Sequence, residues 1–230
     1  MTRQVDVAGD VGHAAMSGDG RLAALTHPDR RLVSLIDVRM GTKLAEVPIE
    51  GQPAHLVFSR DGGLLFVSDQ ESGRLSIIST AKPKKVESFE GLDAFGHLAI
   101  DPSGTIMYAA NSGNGSVGVI LIGQRKRVGM LEIGTEIHGI ALSPDGKQLF
   151  AADFGEGAVV AVEVDSGKRR SVPVVPGPYH VTALTDTRQL LVTSADENLM
   201  WSISAPGLKI VASYRLEGIV DQIPEVGESP

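Results

Sequence analysis

Apolar residues run along the chain in short bursts, each closed by Gly, Pro, Asp, Ser or Asn. The first cycle reads Leu22–Thr26, a polar gap, Leu32–Val38, a basic turn, Lys43–Ile49, a glycine, then His55–Phe58. Bursts of this length, rich in β-branched residues and fenced by turn formers, predict strands rather than helices.

The bursts repeat. Ser17-Gly18-Asp19-Gly20 recurs as Ser59-Arg60-Asp61-Gly62, Asp101-Pro102-Ser103-Gly104 and Ser143-Pro144-Asp145-Gly146. A worn fifth copy is Thr185-Asp186-Thr187-Arg188, so the units start at 17, 59, 101, 143 and 185, always 42 residues apart. The tetrapeptide is a tight turn, in which Asp accepts from backbone N–H groups and Gly takes a positive φ. Four predicted strands per unit, with no helix, make one blade of a β-propeller. Such a blade buries both faces against its neighbours, and Ala23, Ala24, Ala109, Ala110, Ala151 and Ala152 are small enough for close packing there.

The fold class is therefore all-β, a propeller of four-stranded antiparallel blades built from five repeats. One domain, 1–230, is expected, with blades starting near residues 13, 55, 97, 138 and 180. An additional outer strand is expected over 3–8, a sixth innermost strand could begin within 219–226, and the tail 221–230 is acidic. Two readings stand for the ring: a piece of a longer propeller, or a small or partial ring. A partial ring would expose strand edges and tend to self-associate.

His138-Gly139-Ile140-Ala141-Leu142-Ser143-Pro144-Asp145-Gly146-Lys147 resembles the P-H-G-V-A-F-S-P-D-G-K pattern of the Y-V-T-N family of propeller repeats. Tyr108-Ala109-Ala110-Asn111, Phe150-Ala151-Ala152-Asp153 and Phe66-Val67-Ser68-Asp69 resemble its Y-V-T-N half. The resemblance covers nearly the whole chain and implies the fold. It implies less about function, because the family spans binding propellers, lactonase-like proteins and the haem-binding propeller of bacterial nitrite reductases. It also implies a periplasmic or secreted setting, with any leader outside this chain; a cytoplasmic one stays open.

Histidine placement changes the picture most. His13, His55 and His97 stand four residues before the turn tetrapeptide, and His138 and His180 stand five before it. This is one column of the repeat, at the start of each innermost strand, where a propeller has its channel mouth. The sixth, His27, opens a loop expected on the same face. Neutral imidazole ligates zinc, copper and haem iron, and Asp69 and Asp153 could assist. The candidate ligand or metal residues are therefore His13, His55, His97, His138, His180, Asp69 and Asp153, with haem or a divalent metal as the cofactors in view. The alternative is that each imidazole bonds a neighbouring loop.

Composition narrows the chemistry. Among 230 residues there is no cysteine, which excludes thiolate metal sites, cysteine nucleophiles and covalent c-type haem attachment. No apolar run is long enough to span a membrane. Net charge is −7, yet the basic residues sort onto hairpin tips: Lys84, Lys85, Arg125, Lys126, Arg127, Lys168, Arg169 and Arg170 are expected on the face opposite the histidines. That face could meet an acidic protein, nucleic acid or an anionic surface; equally, it could be solvated turn chemistry.

Gly113-Asn114-Gly115-Ser116-Val117-Gly118 fits G-x-G-x-x-G formally, but it joins two strands and opens no helix, so it cannot cradle a phosphate. Trp201 reads as packing. Glu136 beside His138, or Asp93 near His97, could form an acid–base pair. The expected function is a non-catalytic module that binds a small molecule or a protein partner through the histidine mouth. A haem- or metal-binding oxidoreductase relative and a lactonase-like hydrolase are the alternatives, so enzymatic activity stays open.

Overall fold

The computed structural model describes residues 4–7, 9–69, 71–83, 86–89, 96–184, 188–194 and 197–217. Among them lie twenty strands and one 3-10 turn, Pro28–Arg30. The strands form five four-stranded antiparallel sheets, each built from four consecutive strands in chain order. The first sheet comprises β1 (Ala14–Met16), β2 (Leu22–His27), β3 (Leu32–Asp37) and β4 (Thr42–Pro48). The second comprises β5 (Pro53–Phe58), β6 (Leu64–Asp69), β7 (Leu75–Ser79) and β8 (Val86–Phe89). The third has β9 (Leu98–Ile100), β10 (Ile106–Asn111), β11 (Ser116–Leu121) and β12 (Lys126–Glu132). The fourth has β13 (Ile137–Leu142), β14 (Gln148–Asp153), β15 (Ala158–Glu163) and β16 (Arg169–Pro173). The fifth has β17 (Pro178–Leu184), β18 (Gln189–Ser194), β19 (Leu199–Ser204) and β20 (Lys209–Arg215).

The outer strand expected over 3–8 is not formed at residues 4–7, while Arg3 and Ala8 lie outside the described residues. So do Lys84, Lys85, Asp93, the first three residues of the worn turn and the tail from 218, which includes 219–226.

The turn tetrapeptide folds by a side-chain relay. Ser143 Oγ donates to Asp145 Oδ1 at 2.6 Å and accepts from Gln148 N–H at 2.9 Å. Ser17–Asp19 and Ser59–Asp61 repeat this at 2.7 and 2.6 Å. In the third copy Asp101 stands in the serine's place and accepts from the N–H groups of Thr105 and Ile106 at 2.8 and 2.6 Å. The turn ends in the left-handed region: Gly20, Gly62, Gly104 and Gly146 have φ of 66, 67, 72 and 69°, and Arg188, at the same repeat position, has 52°. Only glycine enters this region without a Cβ penalty, so the repeat in sequence is also a repeat in backbone handedness.

The chain forms two compact units, with the boundary inside β9, after Leu98. In the first, the core is shared by the first two sheets: Ala24, Val33, Leu35 and Val47 pack with Leu56, Leu65, Val67 and Ile78. In the second, β14 serves two cores at once. Leu149 and Ala151 face Tyr108, Val117 and Ile133, while Phe150 and Ala152 face Val181, Val192 and Trp201. Successive side chains of a strand point to opposite faces, so a strand with sheets on both sides must be apolar throughout. Trp201 is packing, as its sequence position suggests. The outermost strands β4, β12, β16 and β20 are mostly exposed and carry Lys43, Lys126, Arg169 and Lys209, charges that discourage edge pairing.

Candidate functional site: the histidine column

Each histidine of the column sits where regular pairing of its innermost strand begins. His13 and His97 directly precede β1 and β9. In β5, β13 and β17 the ladder slips between Pro53 and Leu56, Ile137 and Ile140, and Pro178 and His180. A bulge of this kind frees one residue from the ladder and re-aims its side chain. Hydroxyls on the second strand fix the backbone there. His13 N–H donates to Thr26 Oγ1 at 2.8 Å, and His55 N–H donates to Ser68 Oγ at 3.1 Å. Thr26 and Ser68 occupy the same repeat position, 42 residues apart, a signal present in the sequence but not used to find them.

In the first unit three imidazoles meet. The ring centroids of His13 and His55 are 3.8 Å apart with a 43° tilt, and those of His55 and His97 are 4.1 Å apart with a 54° tilt. The ring nitrogens of His55 and His97 approach within 4.8 Å. His97 is buried, while His13 and His55 are partly exposed. Burial lowers the His13 pKa from 6.5 to about 4, so this imidazole is neutral at physiological pH.

In the second unit the column continues with different chemistry. His138 stacks on Tyr179 at 4.4 Å and meets the edge of Phe154 at 5.6 Å. His138 Nε2 lies 3.0 Å from Glu136 Oε1, the acid–base neighbour expected from sequence. His180 lies edge-on to Tyr179 at 5.1 Å. Tyr179 and Phe154 were not foreseen as part of this cluster. Gly139 lets the strands approach: a Cβ there would lie 2.7–2.8 Å from the backbone of Tyr179, His180 and Val181.

His27 stands apart from the column. It is fully buried, and its ring nitrogens engage Asp10 O and Ser34 Oγ, both at 2.9 Å, so it ties the N-terminal segment to the first sheet. Asp69 and Asp153 are also buried, and both close loops. Asp69 Oδ1 accepts from Glu71 and Ser72 N–H at 2.8 and 3.2 Å, and a Cβ on Gly51 would fall 1.6 Å from Asp69 Oδ2. Asp153 accepts from the N–H groups of Thr135, Glu136 and Glu156 and from the Thr135 hydroxyl. Asp153 is occupied mainly with backbone donors, whereas Asp69 uses only Oδ1 in this way and its Oδ2 is buried without a hydrogen-bond partner among the described residues.

The basic residues separate into two kinds. Arg125, Lys126 and Lys168 are exposed on hairpins, with Arg127 half-buried. Arg169 and Arg170, adjacent on β16, diverge: Arg169 Nη1 donates to Glu132 O and Ile133 O at 2.9 and 3.1 Å, on the preceding sheet's side, and Arg170 Nη1 donates to Pro206 O at 2.9 Å, on the following one. Both guanidiniums thus fasten neighbouring sheets. A groove of about 570 Å³ beside them is lined by Thr135, Glu156, Ser171 and Pro173.

The sheets and their register define the class: an all-β protein with a β-propeller fold of five four-stranded blades. The chain is similar in structure to Kuenenia stuttgartiensis hydrazine synthase, with a TM-score of 0.75 at 23% identity, over 89% of this chain and 66% of that one. It thus spans just under two thirds of that protein's length, and the likeness is one of fold. No family model matches the sequence, and no curated protein does. Among the described residues no helix is long and apolar enough to cross a membrane.

Proposed function

We propose that this protein is a non-catalytic binding propeller of the Y-V-T-N type that takes a small ligand through its histidine column. The observation that supports it most is the contact of His13, His55 and His97, contributed by three successive repeats. Polar rings drawn together from separate strands, at bulges or strand starts, mark a position kept for recognition more readily than one kept for packing. A periplasmic or secreted setting fits this reading by resemblance alone.

The rings of His13, His55 and His97 lie against one another, and His138 stacks on Tyr179 and meets the edge of Phe154, so a haem or a metal would be held at the ring edges, through the in-plane lone pair of a nitrogen.

The test is a ligand screen read by the imidazole Cε1–H resonances. A ligand that raises the melting temperature and moves the His13, His55 and His97 resonances together supports the reading. Ligands that stabilise the protein without moving any of the three count against it.

The Glu136–His138 contact favours a second reading, a hydrolase in which the carboxylate fixes the imidazole's tautomer and the other ring nitrogen acts as base. Hydrolysis of simple lactones, lost in both Glu136→Gln and His138→Ala, would support it. Turnover unchanged in both variants would remove it.

A further inference from the structure

We propose that His55 and His97 form a two-imidazole site for a divalent transition metal, copper before nickel or zinc, with His13 as the adjoining third imidazole. This rests on the reading that the histidine column binds a ligand, and it names the ligand's chemistry.

The donor set selects the class of ion. With the rings in tilted contact, the chemical handle an imidazole offers is the in-plane lone pair of a ring nitrogen. The ring nitrogens of His55 and His97 are within 4.8 Å of each other. Two nitrogens bound to one metal at about 2.0–2.1 Å stand roughly 3 Å apart, so a modest side-chain rotation closes the site. Among the described residues no carboxylate groups with His55 and His97, and the sequence has no thiolate to offer. An all-nitrogen site disfavours magnesium and calcium, which need several oxygens, and favours copper, nickel and zinc in the Irving–Williams order.

The backbone holds the site in place from both sides. Ser68 Oγ accepts from His55 N–H at 3.1 Å and donates to Gly96 O, the residue before His97, at 3.1 Å. One hydroxyl therefore positions both ligands through the backbone. Ser68 is a positioning residue in this scheme, fully buried, after four apolar residues of its strand.

The experiment uses the full chain and copper(II) alone. Isothermal titration, followed by electron spin-echo modulation of the copper complex, should show one high-affinity equivalent with at least two equatorial imidazoles. His55→Gln and His97→Gln should each weaken binding at least tenfold, with the β-sheet circular dichroism unchanged, and Ser68→Ala should weaken it by a smaller factor. Magnesium should not compete. Absence of binding below about 0.1 mM, or fewer than two imidazoles in the unsubstituted protein, would overturn the proposal, and neither result depends on a variant folding. If copper fails but the ligand screen finds an organic molecule that moves all three histidine resonances, the metal is refuted and the binding column stands. If both fail, both readings fall.

Discussion

His13 and the turn aspartates all have lowered pKa values, but they act in different pH windows, and the difference separates them experimentally. Hydrogen bonds from Ser17 and the Arg21 N–H lower the Asp19 pKa, and Asp61 and Asp145 follow the same pattern with Ser59 and Ser143. Burial pushes the Asp101 carboxyl up, but the Ser103 hydroxyl and three backbone donors outweigh it, and its pKa is also lowered. These carboxylates stabilise the fold above their unfolded pKa near 4, and that stability is lost as pH falls through their folded values. His13 loses stability in the same direction but in a higher pH window. Its folded pKa, about 4, lies below its ordinary 6.5, so the unfolded chain takes up the proton first. Stability contributed by a neutral His13 is complete above pH 6.5 and drains away as pH falls towards 4, by at most about 3 kcal/mol, since the partly exposed ring is screened by solvent. Urea titrations from pH 7 to pH 5 should therefore show a slope due to His13, while the aspartates are still ionised. His13→Gln should flatten that slope; an unchanged slope would mean His13 is not held neutral.

Elements show where sequence reasoning reached and where it stopped. The turn relay, the four strands and the histidine column were all legible, because a spacing of 42 repeats chemistry as well as length. The bulges were not, because a slipped register leaves no mark in residue type. Nor were the partners of His138. Tyr179 reaches it only because β13 and β17 run close enough for ring contact, and Gly139 is what permits that. Arg169 and Arg170 read as one basic cluster in sequence, yet strand alternation sends them to opposite neighbours. Gly139→Ala must push a Cβ against three backbone atoms of β17 that cannot swing aside. It should cost more than about 2 kcal/mol in chemical denaturation. Gly129→Ala on β12, where the nearest atom is 3.9 Å away, should change stability by less than about 0.5 kcal/mol. Equal effects would mean that β13 and β17 are not in close approach.

At the scale of the whole molecule, a net charge of −7 hides a local excess of cations on hairpin tips. Arg169 and Arg170 reach carbonyl oxygens, and among the described residues Arg125, Lys126, Lys168 and Arg169 are exposed on the expected basic face. Exposed cations without interleaved aromatics predict sequence-independent, salt-sensitive capture of a polyanion such as heparin. Retention should be measurable near 50 mM salt and gone by about 200 mM. Retention that persists at high salt would point to a docking surface built on more than charge. The structural likeness to hydrazine synthase does not decide between these outcomes, since it concerns fold.

Arg188 has a practical consequence. It holds φ of 52° where four sister turns have glycine at 66–72°. The molecule thus carries four working templates for mending its own fifth turn. Arg188→Gly copies them, and relief of the left-handed strain should raise stability by about 1 kcal/mol, read as a higher melting temperature. A repeat protein that has drifted can be improved by borrowing from itself, with no relative needed to supply the consensus.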